Sequence, residues 1–162
     1  MSHQNRISKR HDVKSDDAMC EHVLIKTSLP KPKSEAVSQH MRKIGTKRTG
    51  VEKRARRVLR LEKLKYKGND KSLPGSPDLV IPELDLAIFV NGCFWHGCPR
   101  CYTAPKHNRA WWNKKISNNR RRDRRVTRQL RALNYSVIHL WEHDSDERMR
   151  VRVCTAIRAS KK

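Results

Sequence analysis

The stretch Cys93-Phe94-Trp95-His96-Gly97-Cys98-Pro99-Arg100-Cys101 packs three thiols, an imidazole and two large aromatic rings into nine residues. That density of metal-ligand chemistry does not belong to an ordinary core. The spacing Cys93-x4-Cys98-x2-Cys101 offers three ligands from one loop, and its Cys98-x2-Cys101 half is a zinc knuckle. A tetrahedral site needs a fourth donor from elsewhere in the chain. His143 is the first choice and His107 the alternative nearer in sequence. Such a site is closed and structural: it staples a loop that has little apolar content of its own. The competing reading is three free thiols. Of the other cysteines, Cys20 lies in a polar tail and Cys154 in an apolar helical pattern, and both read as incidental. The first twenty residues are polar and show no secretory signal, which points to the cytoplasm, where clustered thiols stay reduced and hold metal.

The chain carries 38 Lys and Arg against 16 acids, a formal net charge of +22. Such an excess repels itself unless it faces a polyanion, and nucleic acid is the expected one. No apolar run reaches the roughly 18 residues that a membrane span needs. From Lys106 to Arg131 there are eleven Lys or Arg and a single acid, Asp123. On a helix, that imbalance reads as a surface that tracks phosphates. Asp123 itself reads as a structural partner for a neighbouring arginine. The chain's length fits one domain, 39–162, behind a flexible basic arm over 1–38 that could add affinity for a duplex.

The pattern along the domain is α-β-β-loop-α-β-α. Val51 to Tyr66 has helical periodicity, with Thr49 and Glu52 as a capping box and Gly68-Asn69-Asp70 as the stop. Leu73-Pro74-Gly75-Ser76-Pro77 is a rigid turn, Asp78 to Ile81 a short strand, and Leu84 to Val90 a second strand that runs into the Cys/His loop. Arg109 to Leu133 is a long helix with Trp112, Ile116, Val126, Leu130 and Leu133 on its apolar stripe. Tyr135 to Trp141 is a third strand, and Ser145 caps a last helix over 146–159.

Asp78 closes a proline-rich turn and opens a strand, as the metal-binding Asp of PD-(D/E)xK nucleases does. The following strand lacks that family's usual acid and lysine. A more specific likeness runs from about Met41 to Glu142. It rests on Met41-Arg42-x-Ile44, Glu52-Lys53, Leu73-Pro74-Gly75-Ser76-Pro77-Asp78 and Ile88-Phe89-Val90-Asn91-Gly92-Cys93-Phe94-Trp95-His96-Gly97-Cys98-Pro99. It continues with Trp112-x-x-Lys115-Ile116-x-x-Asn119-x-x-Arg122-Asp123 and Leu140-Trp141-Glu142. In these motifs, in order and spacing, the chain resembles the very short patch repair (Vsr) DNA mismatch endonucleases.

The resemblance implies a PD-(D/E)xK-like α/β core, a mixed sheet flanked by helices, with a structural zinc loop. It implies nicking of one strand 5′ to the thymine of a T:G mismatch in double-stranded DNA, dependent on Mg²⁺. Carried over residue by residue, Asp78 binds magnesium with the backbone carbonyl of Val90, His96 positions or deprotonates the attacking water, and Glu52 orients metal-bound water from the first helix. Cys93, Cys98, Cys101 and His143 bind Zn²⁺. Phe94, Trp95 and Trp112 wedge into the base stack at the mismatch, where unstacking is least costly; between Trp111 and Trp112, the resemblance selects Trp112. Two positions depart from the family: Asn91 stands where members often carry His or Asp, and His143 where they carry a zinc-binding Cys. Mismatch-repair proteins are candidate partners, and a monomer is the default state. Two other readings stay open on the residues alone. One is a nuclease of the same fold with a restriction-type or structure-specific target. The other is a non-enzymatic zinc module that binds nucleic acid by charge.

Overall fold

The computed structural model describes residues 49–160 together with Lys31, Ser34, Glu35 and Gln39. Cys20, nearly all of the expected basic arm and the Met41-Arg42-x-Ile44 motif lie outside the described residues. Helix α1 (Gly50–Leu61) precedes strands β1 (Lys67–Gly68), β2 (Leu79–Ile81) and β3 (Leu86–Asn91). The Cys/His loop then leads into α2 (Arg109–Ala132), β4 (Ser136–Trp141) and α3 (Asp146–Ser160). The four strands form one sheet in the order β1-β2-β3-β4. The β1–β2 and β2–β3 pairs are antiparallel, while β3 and β4 run parallel, in register from Leu86↔Ser136 to Asn91↔Trp141. A parallel pair needs a crossover connection, and α2 supplies it.

Strand residues alternate between the two faces. On one face Leu79, Ile81, Leu86, Ile88 and Leu140 pack against Ala55, Val58 and Leu59 of α1 and Met149 and Val153 of α3. On the other, Ala87 meets Val126 and Leu130 of α2, with Phe89, Tyr135 and Val137 around them. The result is the mixed sheet with helices on both faces that the sequence leads one to expect.

Boundaries differ where backbone geometry overrides periodicity. The apolar pattern predicts that α1 reaches Tyr66, yet the helix ends at Leu61. Lys63 takes a left-handed φ of 56°, its N–H donates to Arg60 O (3.0 Å), and the Leu64 N–H donates to Leu59 O (3.0 Å). This is the paired hydrogen bonding of a Schellman stop, made with lysine in place of the usual glycine; Leu64 gains a place against the core. Helix α2 ends in the same manner through Asn134 (φ 65°), with Tyr135 N–H donating to Leu130 O at 2.9 Å. The strand expected from Leu84 begins at Leu86, because Pro82–Leu84 forms a 3-10 turn closed by left-handed Asp85. Ser145 caps α3, its hydroxyl accepting from Arg148 N at 3.2 Å.

Two glycines give opposite expectations. Gly75 has φ +73°, and a Cβ there would run into the Val126 methyl groups under α2. Gly50 opens α1, and a Cβ at that position would meet nothing within 4 Å. In urea denaturation, Gly75→Ala should cost about 2 kcal/mol or more from backbone strain and overpacking. Gly50→Ala should raise stability by about 0.4–1 kcal/mol by restricting the unfolded chain.

Candidate functional site

Asp78 follows buried Pro77 and stands where β2 begins, beside the end of β3. Its Oδ2 accepts from the Val90 N–H at 2.7 Å, clipping the two strands together. Burial pushes the Asp78 carboxyl above the usual carboxylate range, and the charge of Glu52 adds to that. The Val90 N–H, His96 and Arg56 pull the other way without prevailing. Glu52, on the first turn of α1, is 7% exposed and faces the Thr49 hydroxyl at 3.4 Å. The structure thus brings Asp78, Glu52, His96 and the Val90 backbone to one end of the sheet. Arg56, one helical turn after Glu52, lies over the Tyr66 ring at 5.8 Å and within electrostatic reach of Asp78; sequence reasoning gave it no part.

His96 is held by α2. Its Nδ1 lies 2.7 Å from Asp123 Oδ2, and Arg122 approaches the other carboxylate oxygen at 3.3 Å. Burial works against ionisation of Asp123, but the hydrogen bond and charge of His96, with Arg122, outweigh it and hold the carboxyl below its usual value. Sequence reasoning gave Asp123 an arginine partner; the fold adds the imidazole. The arrangement leaves Nε2 of His96 for proton transfer, with the ring oriented by a carboxylate behind it. Two further bonds from α2 fix the same loop: Asn119 Nδ2 donates to Trp95 O (2.8 Å) and Arg120 Nε to Gly97 O (3.1 Å). Gly97 has φ +57°, and a Cβ would sit 2.5 Å from Ile116 Cγ2, so only glycine lets the loop lie this close to the helix.

The ligand atoms of Cys93, Cys98, Cys101 and His143 all lie within 4.8 Å of one another. His143 Nδ1 is 3.2 Å from Cys93 Sγ and 3.5 Å from Cys98 Sγ. Bond lengths of about 2.3 Å to sulfur and 2.0 Å to nitrogen set a tetrahedral edge of roughly 3.5 Å, so these spacings suit a zinc-sized ion. The donor set of three soft thiols and one imidazole suits it as well. Burial pushes the Cys93 thiol up to about 12. Burial acts alike on Cys98, but hydrogen bonds from Arg100 and Cys101 prevail and hold it below its usual value. His143 Nε2 faces the fully buried Asp144 carboxylate at 3.6 Å, long for a hydrogen bond but well placed to orient the ring. Arg54 of α1 grips the same segment, bonding Glu142 O (3.3 Å), Asp144 O and Asp146 Oδ1 (2.7 Å). His107 stands apart, 3.4 Å from Lys31 O.

Phe94, Trp95 and Trp112 are half-buried and pack edge-on against each other, with ring centroids 5.0–5.9 Å apart. Tyr102 and Trp111 extend the group at 5.9 and 4.7 Å. The aromatics therefore form one connected cluster rather than separate exposed wedges. Asn91, the last residue of β3, lies with Nδ2 3.1 Å from Nδ1 of His139 on β4. Burial pushes the His139 imidazole below its usual value. Nothing in the local pattern of β4 marks His139 as more than a strand residue.

Residues 31–102 match the family described as DNA mismatch endonuclease Vsr, a stretch that holds Glu52, Asp78, His96 and the three loop cysteines and stops before Asp123 and His143. The DNA mismatch endonuclease Vsr of Escherichia coli is 40% identical over 107 residues, covering 65% of this chain and 68% of that protein. The type II nicking enzyme V.XorIIP of Xanthomonas oryzae pv. oryzae is 38% identical over 104 residues, 63% of this chain and 76% of the relative. The type II nicking enzyme V.NmeAIP of Neisseria meningitidis serogroup A is 36% identical over 104 residues, 63% and 74%. Identity of this order over more than two thirds of each relative assigns the chain: it belongs to the Vsr family of endonucleases.

Proposed function

We propose that the protein nicks one strand of duplex DNA 5′ to the thymine of a T:G mismatch, with magnesium as cofactor. The observation that carries this reading is the convergence of Asp78, Glu52 and the His96–Asp123 pair at one end of the sheet, directly beside the aromatic cluster. Asp78 and the Val90 carbonyl offer the oxygen donors that magnesium prefers. Bound there, the ion would supply positive charge at the phosphate and lower the pKa of a water. His96 takes the proton from the attacking water at Nε2, and Asp123 stabilises the imidazolium that results. Glu52 would orient a different water, one held by the ion, from α1. Phe94, Trp95 and Trp112 enter the base stack, which opens most readily at a mispaired step. The basic outer face of α2 neutralises phosphates along the duplex.

Cys93, Cys98, Cys101 and His143 are read as a closed zinc site that ties the loop to the end of β4. Among the described residues, no helix is long and apolar enough to cross a membrane. The relatives named type II nicking enzymes, together with Asn91 in place of an acid or histidine, support a second reading, a nuclease of the same fold with a restriction-type or structure-specific target.

The test is an end-labelled duplex with one T:G pair beside its T:A control, in Mg²⁺ and in EDTA, across several flanking sequences. A single nick next to the thymine, only with mismatch and Mg²⁺, is the expected result; equal cutting of both duplexes would transfer the assignment to the second reading. Asp78→Asn should slow nicking by about 10²–10³ or more while leaving duplex binding intact, since it removes a group that anchors transition-state charge. Nicking at the native rate would remove Asp78 from the site.

Asp123→Asn should slow nicking by about 10- to 100-fold, as loss of an orienting partner does. Because the folded protein holds this carboxyl below its ordinary value, its stabilisation is present above that value and lost as pH falls through the lower folded one. The difference in Tm between Asp123→Asn and the native chain should therefore be full at neutral pH and close only below about 3.8. A gap unchanged down to pH 2 would show that the pair contributes nothing to stability.

The purified protein should carry about one zinc ion per chain by elemental analysis, and a strong chelator should lower its Tm by several degrees. Protein free of zinc with an unchanged Tm would leave the cysteines as free thiols.

A further inference from the structure

A one-way chain of hydrogen bonds runs beneath the candidate active site. The Thr127 hydroxyl donates to the Asp123 carbonyl at 2.9 Å, since a carbonyl can only accept. The same Oγ1 lies 3.3 Å from His139 Nε2 and, its own proton being committed, must accept there. His139 is thereby the tautomer protonated on Nε2, and its Nδ1 is an acceptor. Nδ1 in turn faces Asn91 at 3.1 Å, so the Asn91 carboxamide must turn its NH₂ toward the ring. Burial pushes the imidazole below its usual value, the direction this acceptor role requires, and Phe89 stacks on the ring at 5.5 Å.

Asn91 is 5% exposed; with one Nδ2 proton directed at His139 its side chain keeps a second N–H and its one acceptor, Oδ1, which meets no donor among the described residues. The neighbours of Asn91 belong to both halves of the site. The Val90 N–H holds Asp78, and the Gly92 carbonyl accepts from the His96 N–H at 3.2 Å. The far end of the chain is the backbone of Asp123, whose carboxylate holds His96.

We propose that His139 is a positioning residue that locks the Asn91 carboxamide, so that Asn91 Oδ1 accepts a hydrogen bond from the water attacking the phosphodiester. The water has one proton to give to His96; an acceptor for its other proton fixes the direction of its lone pair. A neutral amide can do this without adding negative charge to a site that already holds Asp78 and Glu52. The proposal rests on the nuclease reading above.

Two measurements test it. In the free protein, side-chain ¹⁵N NMR should show His139 protonated at Nε2 and bare at Nδ1. The Asn91 NH₂ should be protected from exchange in the native chain and released in His139→Leu. An Nδ1-protonated ring, or an Asn91 amide indifferent to His139→Leu, overturns the positioning role whether or not the substrate is known. In single-turnover nicking of a duplex that the native protein cuts, His139→Leu and Asn91→Ala should each slow the chemical step by about 10- to 100-fold with duplex affinity unchanged. The double variant should be no slower than the slower single one, because the two residues act as a unit. His139→Gln, which keeps an acceptor, should recover most of the rate. Additive losses, or a native rate in His139→Leu, overturn the proposal. A native chain that cuts no T:G duplex counts against the assigned substrate, and the NMR result still decides the hydrogen-bond chain.

Discussion

Asn91 and Trp141 end their strands side by side, in parallel. The Cys/His half of the candidate site depends on that pairing. Two parallel strands leave the sheet at the same end, so the loop after β3 and the loop after β4 emerge together. Cys93 and His143, fifty residues apart, meet for that reason, and the Cys93 N–H finds the Glu142 carboxylate at 3.0 Å. The crossover that permits a parallel pair is α2, and α2 returns across the loop it follows. It contributes Asp123 to His96, Asn119 to Trp95 O and Arg120 to Gly97 O. A single topological choice thereby delivers a cluster of ligands, an oriented imidazole and a braced set of aromatic rings.

The same helix separates two uses of charge. Its outward face is almost uniformly basic, a surface that costs self-repulsion until a polyanion covers it. Its one acid, Asp123, turns inward and sits in reach of both an arginine and an imidazole. At the opposite side of the site, α1 brings Glu52 toward Asp78, and like charges in a half-buried pocket make ionisation of Asp78 harder. Such a pocket is poised to receive a cation.

Much of this is legible in the linear order of residues. Ile116, Val126 and Leu130 on α2, the Ser145 cap and the strand into the Cys/His loop rest on local pattern, and the structure places them accordingly, whereas Leu133, expected on the same stripe, lies just past the helix end and is 53% exposed. His143, chosen over His107 for its place after the third strand, lies against the three thiols. The parts that are not legible depend on backbone geometry or distant partners. Lys63 ends α1 in a conformation usually left to glycine, and only the return of Leu64 to the core explains it. Two residues of β1 carry no periodicity at all. His139 looks like a polar interruption in a strand until Asn91, 48 residues earlier, is placed beside it. Asp123 reads as a surface ion-pair partner until the loop folds over it.

Arg54 sits two residues after Glu52 on α1, yet its guanidinium reaches the segment that carries His143, through Glu142 O, Asp144 O and Asp146. One side chain thus couples the helix that brings Glu52 to the candidate site with the turn that places His143 beside the thiols. The two are joined through one guanidinium. Sequence drift at position 54 would be epistatic, felt at Glu52 and His143 together, so that neither site can diverge freely while the other stays as it is.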